Sequence, residues 1–95
     1  MDVLVILDVI NLEDKEIFEK HIVKEGFEVV PSEEFVYTAT STTTTFSTKA
    51  YILEVFKKGL QKTSFENANM VFLLNETPYP PYIYDKTTND FEEAK

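Results

Sequence analysis

The sequence predicts a single α/β domain of the α+β class, in which an antiparallel sheet is covered on one face by two helices. Three observations support this prediction. The chain has 95 residues, which is within the size range of one domain. It opens with an apolar run, and two later segments repeat apolar residues at helical spacing. Eight Phe and five Tyr supply enough apolar area for a two-layer core.

The first predicted element is a strand from Val3 to Ile10. This run consists of Val, Leu and Ile, and Asp8 is its one polar residue. A β-branched run of this length indicates a strand that is buried on both faces. We therefore expect this strand in the middle of the sheet.

The first helix is predicted to begin after Asn11 or at Glu13–Asp14, because short polar side chains accept hydrogen bonds from exposed helix N–H groups. Apolar positions then recur at helical spacing as Ile17, Phe18, His21 and Ile22. Gly26 follows as the left-handed residue that ends the helix. Since His21 is on the apolar side, we expect it to be partly buried and structural.

A hairpin and a second helix are predicted next. The apolar residues 27–30 and the aromatic and β-branched residues 35–43 form the two strands, joined by the turn at residues 31–34. Ser47 or Thr48 is the candidate N-cap of the second helix, whose apolar stripe continues to Leu60. Residues 69–74 form a further strand.

The resulting order is β-α-β-β-α-β, which is typical of the ferredoxin-like split βαβ sandwich with sheet order 4-1-3-2. A three-stranded sheet with an irregular hairpin and a strand-swapped dimer are the alternatives. We assign residues 1–76 to this domain. Residues 77–95 form an extended C-terminal arm that is rich in proline and tyrosine, followed by a polar tail.

The arm is the most interaction-like feature of the sequence. Residues 77–84 are predicted to be extended because proline and the residue before it avoid helix. Tyrosines and prolines in an extended segment suit pairing with a sheet edge or docking in a groove. The predicted interaction residues are Tyr79, Pro80, Pro81, Tyr82 and Tyr84. The arm covers its own sheet edge, pairs with a second copy or recruits a different protein. Residues 85–90 are predicted to be a loop and residues 91–95 a frayed tail.

The charge balance excludes several function classes. Seventeen acids and nine lysines, with no arginine, leave a net charge of −8. Such a chain repels polyanions and has no guanidinium for bidentate phosphate contacts, so nucleic-acid binding without a metal is disfavoured. The absence of cysteine excludes disulfides and thiolate sites. No signal peptide or bilayer-spanning segment is predicted, and we expect a cytoplasmic protein that does not enter a membrane.

Asp8 is the one candidate metal ligand. A carboxylate at the end of a central strand must be exposed, paired or bound to a metal, unless the strand ends at Leu7 and Asp8 begins a loop. The segment Val3-Leu4-Val5-Ile6-Leu7-Asp8 and the element order of residues 2–75 resemble the small CRISPR-associated endonucleases of the spacer-acquisition complex, the VapD-like toxins and the ribonuclease antitoxins of similar fold. This resemblance implies that Asp8 and its copy in a homodimer bind a metal, which would be Mg²⁺ or Mn²⁺ in a nuclease.

Three functions follow from these observations. The first is a dimerising interaction or regulatory domain with no catalytic residues and no cofactor. The second is a metal-dependent endoribonuclease or endonuclease of a toxin–antitoxin or CRISPR-associated type, with Asp8 as a ligand. The third is an acidic inhibitor that mimics nucleic acid and binds a basic protein, because scattered carboxylates are able to occupy a basic cleft.

Overall fold

The structure is a computed structural model that describes residues 1–94. In this range an open antiparallel sheet of seven strands carries two helices, as the predicted α+β class requires. The elements are β1 (Asp2–Ile10), α1 (Lys15–Lys24), β2 (Glu28–Val29), β3 (Val36–Thr40), α2 (Thr45–Gln61), β4 (Asn67–Leu74), β5 (Thr77–Pro78), β6 (Tyr82–Asp85) and β7 (Asp90–Glu93). The order across the sheet is β2-β3-β1-β4-β6-β7, and β5 pairs with β4.

Strand β1 lies between β3 and β4, so it is inside the sheet. The prediction that it is buried on both faces is wrong. Val3, Val5 and Leu7 are buried, whereas Ile6 is 42% and Ile10 is 44% exposed. The two helices pack on the same side of the sheet, and the alternate side chains of β1 therefore remain uncovered.

Helix α1 begins and ends where the sequence predicts. The carboxylate of Asp14 caps it by accepting a hydrogen bond from the Ile17 N–H at 3.1 Å. At the other end Gly26 has a φ of +104°, in the left-handed region. The Gly26 and Phe27 N–H groups donate to the carbonyls of Val23 and Ile22, which closes the helix with a Schellman motif.

Helix α2 begins earlier than predicted. Its N-cap is Thr44, whose hydroxyl accepts a hydrogen bond from the Ser47 N–H at 3.1 Å, and neither Ser47 nor Thr48 caps it. Thr48 is instead buried, and its hydroxyl lies 2.6 Å from that of Ser41. The succession of hydroxyl residues offers several equivalent caps, and this tertiary contact selects among them.

The core between the helices and the sheet is aromatic. The Phe56 ring has its centroid 5.1 Å from that of Phe27, 5.6 Å from Tyr37 and 6.1 Å from Phe18. Gly59 allows α1 to approach α2, because a Cβ atom there would lie 3.1 Å from the Phe18 ring. The sheet face under both helices is therefore fully packed.

The C-terminal residues extend the same sheet beyond β4. Asn75 and Glu76 both have positive φ and form the two-residue turn into β5, which pairs with Leu73 and Leu74 of β4. Strand β6 then pairs with β4, and β7 pairs with β6. The prediction of a loop over residues 85–90 and a frayed tail over residues 91–95 is thus wrong for Asp85, which ends β6, and for the described residues 90–93, which form β7.

Candidate functional site

The candidate site is the sheet surface opposite the helices, which we call the open face. It exists because successive side chains of a strand point to opposite sides, and the helices cover one side only. In strands β1, β3, β4 and β6, the side chains on this face are those of Leu4, Ile6, Asp8, Ile10, Val36, Thr38, Asn67, Asn69, Val71, Leu73 and Ile83.

Two apolar rows cross the open face. In one row Ile6 of β1 is paired with Val36 of β3 and Val71 of β4. In the other row Leu4 lies opposite Leu73. Paired residues of an antiparallel sheet have Cα atoms about 4.5–5.5 Å apart, so their side chains are direct neighbours. The rows form a continuous aliphatic surface at the centre of the sheet.

Asp8 lies within this surface. It is an exposed residue of β1 opposite Asn69, which in turn lies opposite Ile83. Ile6 and Ile10 flank it along the strand. Asp8 is therefore inside a strand that continues to Ile10, and the alternative in which the strand ends at Leu7 is wrong.

The Asp8 carboxylate does not belong to a cluster of three or more metal-binding side chains (His, Cys, Asp or Glu) within residues 1–94. One chain would supply the Asp8 carboxylate, with the Asn69 side chain opposite it on β4. Further ligands for a metal at this position would come from water, a second copy or a partner.

Charge is distributed unevenly between the two sides of the molecule. Besides Asp8, three carboxylates lie on the open side: those of Asp2, Glu28 and Glu92. In the sheet register Glu28 is opposite Thr38 and Glu92 is opposite Ile83, both of which are open-face residues. Asp2 is opposite the exposed Thr40. The lysines within residues 1–94 lie elsewhere: they are on the helices, directly after α2, or in the β6–β7 turn. Several of these lysines contact acids there, as Lys57 does with Glu54 at 3.2 Å. Within the described part of the chain, the strands of the open face hold carboxylates and no cation.

A concavity of about 760 Å³ adjoins one end of the apolar rows. Leu4, Thr38 and Leu73 line it and are half-buried. Three exposed carboxylates also line it, those of Asp2, Glu28 and Glu76. The concavity therefore combines an aliphatic surface with acidic groups.

The predicted interaction arm lies against its own chain. Tyr82 and Tyr84 are 8% and 6% exposed, and their strand β6 lies between β4 and β7 of the same sheet and pairs with both. Tyr79 stacks on Phe72 with ring centroids 5.5 Å apart. Pro80 and Pro81 are exposed between β5 and β6. Within one chain the arm thus adopts the self-covering alternative, and its tyrosines contribute to the core.

The titratable groups away from the open face are structural. Tyr37 donates a hydrogen bond to Glu19 Oε2 at 2.7 Å, and burial, followed by this bond and the Glu19 charge, raises the pKa of Tyr37. His21 is partly buried as predicted, and its Nε2 has no hydrogen-bond partner among the described residues. The Tyr37 hydroxyl thus joins β3 to α1 through Glu19.

Sequence reasoning missed the open face as a surface. Strand β1 has mostly apolar side chains on both of its faces, so this strand alone does not reveal which side of the sheet is uncovered. The signal was in β4, where the polar residues Asn67 and Asn69 alternate with the buried Ala68 and Met70. That alternation is typical of a sheet with one exposed side.

Comparison with known proteins gives no relative for this chain: no protein family, curated protein or solved structure matches it. Between residues 1 and 94, neither helix combines the length and the apolar character needed to cross a bilayer.

Proposed function

We propose that the protein is a binding domain without catalysis of its own, and that the open face is its contact surface. The observation that carries the proposal is the aliphatic surface of the central strands on the side without helices, where Ile6 is exposed and Leu4, Val36, Val71 and Leu73 are half-buried. Contiguous exposed apolar surface on a globular domain marks an interaction site. Residues that served only solubility would be polar at these positions.

The sheet edges support the use of the face. Edge strand β2 has two residues and is followed within two positions by Pro31. The opposite edge strand β7 carries Asp90, Glu92 and Glu93. Short strands, proline and charge all oppose pairing with a further strand. Binding through the open face is thus favoured over strand addition at an edge.

The ferredoxin-like fold expectation belongs to this proposal, and a homodimer is an alternative occupant of the open face. The β-α-β-β-α-β order of residues 2–74 supports a ferredoxin-like assignment. In a homodimer formed through two open faces, each Asp8 would lie in the interface. The predicted dimer is one way to cover this surface.

A metal-dependent nuclease is the second candidate function. The exposed position of Asp8 on a central strand favours it, because the side chain is accessible to a metal and to a second copy. We expect such an enzyme to cleave RNA or DNA with Mg²⁺ or Mn²⁺ and to lose this activity in Asp8→Asn. Cleavage that persists in the variant would remove Asp8 from the mechanism.

Site-specific photo-crosslinking tests the binding proposal. A photoreactive amino acid is placed at position 6 on the open face or at position 17 on α1, in the cells that produce the protein. Ile6 and Ile17 are matched, since they are 42% and 45% exposed. We expect protein adducts from position 6 and none from position 17.

The mass of the adduct identifies what covers the face. An adduct of twice the chain mass indicates a homodimer, and any other mass indicates a different protein. Equal labelling from both positions, or no adduct from position 6, would contradict the proposed function.

A further inference from the structure

We propose that the open face binds a basic, aliphatic segment of another protein, in which lysine or arginine lies beside apolar residues on the same side of the segment. This inference rests on the proposed function, because it names the partner of the same surface. Three features of the structure support it: the separation of charge between the two sides, the composition of the concavity, and the poor match between two copies of the open face.

The carboxylates of the open face favour a partner that supplies cations. Asp8 is surrounded by aliphatic and amide side chains, and Asp2, Glu28 and Glu92 lie on the same side of the sheet. The described residues provide no lysine there. Covering the surface with a neutral partner would remove these carboxylates from water without pairing them, which costs free energy. A partner that supplies cations avoids this cost.

The concavity at the end of the apolar rows suits a lysine or arginine side chain. Such side chains place an aliphatic stem on apolar surface and keep the charged group at its border. Leu4 and Leu73 provide the apolar surface, and Asp2, Glu28 and Glu76 provide carboxylates next to it. A charged hydrogen bond between a cation and one of these carboxylates would fix the side chain.

A second copy of the chain is less suitable for the same surface. Two open faces in contact would bring Asp8, Glu28 and their copies together without an intervening lysine from the described residues. Like charges brought together in an interface oppose association. A polyanion would be repelled for the same reason, and the charge distribution therefore favours a basic protein segment.

Two synthetic peptides of equal length test the inference. One peptide places valine and lysine on the same side of an extended chain, and the other has glutamate in place of each lysine. Their dissociation constants are measured by fluorescence anisotropy with the full chain. We expect the lysine peptide to bind, the glutamate peptide not to bind, and the affinity for the lysine peptide to fall as NaCl rises from about 0.05 to 0.3 M.

Matched variants separate the open face from general attraction to an acidic protein. We expect Asp8→Asn and Glu28→Gln each to weaken binding of the lysine peptide about two- to fivefold, and Glu16→Gln on α1 to leave it unchanged. Ile6→Asn should weaken it about tenfold, and the equally exposed control Ile17→Asn should not. Circular dichroism of each variant verifies that the fold is retained.

Several outcomes would overturn the inference. Equal weakening by Glu16→Gln, or equal binding of both peptides, would show that the open face does not select a basic segment. Sedimentation of the chain alone that reveals a dimer dissociated by Ile6→Asn would assign the face to a second copy. That result would support the proposed binding function and contradict the basic partner. The same conclusion would follow if crosslinks form from position 6 while the lysine peptide does not bind.

Discussion

At the scale of single residues, Tyr37 joins the sheet to both helices. Its ring is fully buried on β3, in edge contact with Phe18 of α1 and tilted against Phe56 of α2. Its hydroxyl donates to Glu19 on α1 at 2.7 Å. Burial raises the pKa of Tyr37, and the hydrogen bond and the charges of Glu19 and Glu34 raise it further. The neutral phenol is therefore part of the folded state.

We expect Tyr37→Phe to lower the free energy of unfolding at neutral pH by about 1 kcal/mol, through loss of the hydrogen bond. The native protein should also lose stability as pH rises above about 10, because the tyrosine ionises in the unfolded chain and stays neutral in the folded one. The variant lacks this contribution and should decline less steeply. Urea unfolding at several alkaline pH values measures both effects.

Glu19→Gln is the matched control for this prediction, since it retains an acceptor oxygen and removes the charge. At neutral pH, Glu19→Gln should lower the free energy of unfolding by less than Tyr37→Phe does. An alkaline decline of equal slope in the native protein and in Tyr37→Phe would contradict the account of Tyr37.

The two helices meet at Gly59. A Cβ atom at this position would lie 3.1 Å from two carbon atoms of the Phe18 ring and 3.2 Å from Ile22 Cδ1. The Phe18 ring has little room to move, because it is fully buried and contacts both Tyr37 and Phe56. Glycine in α2 therefore serves close packing, despite its low helix propensity.

We expect Gly59→Ala to lower the free energy of unfolding by about 1 kcal/mol. Replacing glycine in a helix contributes up to about 1 kcal/mol of stability, whereas overpacking a filled core costs about 1–3 kcal/mol. Urea unfolding measures the net change. Ala50→Gly, at an exposed position of the same helix, calibrates the propensity effect. If Gly59→Ala raised the free energy of unfolding by as much as Ala50→Gly lowers it, there would be no packing constraint at Gly59.

For the molecule as a whole, the C-terminal residues complete the sheet. Tyr82, Tyr84 and Phe91 are each less than one-tenth exposed, and Phe65 contacts Tyr84 with ring centroids 5.0 Å apart. Without residues 77–94, one edge of β4 would be unpaired. The sequence-based boundary after residue 76 therefore falls within a continuous sheet.

We expect the fragment of residues 1–76 to be several kcal/mol less stable than the full chain, because each buried aromatic side chain contributes about 1.5–3 kcal/mol. The unpaired edge of β4 should also make the fragment associate. Urea unfolding and sedimentation measure the two effects. Ile83→Asn, which changes an exposed residue of β6 and keeps the hairpin, should have the stability of the native chain. A monomeric fragment of full stability would support the predicted boundary.

Much of α1 was predictable from the sequence. Asp14 caps the helix and Gly26 ends it because both effects depend on hydrogen bonds and backbone conformation within a few residues. The N-cap of α2 was not predictable, because several neighbouring hydroxyl residues are candidate caps. Only the structure shows that the Thr48 hydroxyl contacts Ser41 and that Thr44 is the cap. Strand β7 was missed because its one buried residue, Phe91, acquires its partner Tyr84 only when the hairpin closes.

The candidate site divides in the same way. Sequence alone identified Asp8 as an unusual carboxylate in an apolar run, together with the α+β class and the acidic surplus, since these depend on residue type and local periodicity. Only the tertiary structure decided that Asp8 lies opposite Asn69, that the arm covers its own β4, and that one sheet face stays open. Those features depend on strand register and on which side the helices pack, and both are set by contacts between residues far apart in the chain.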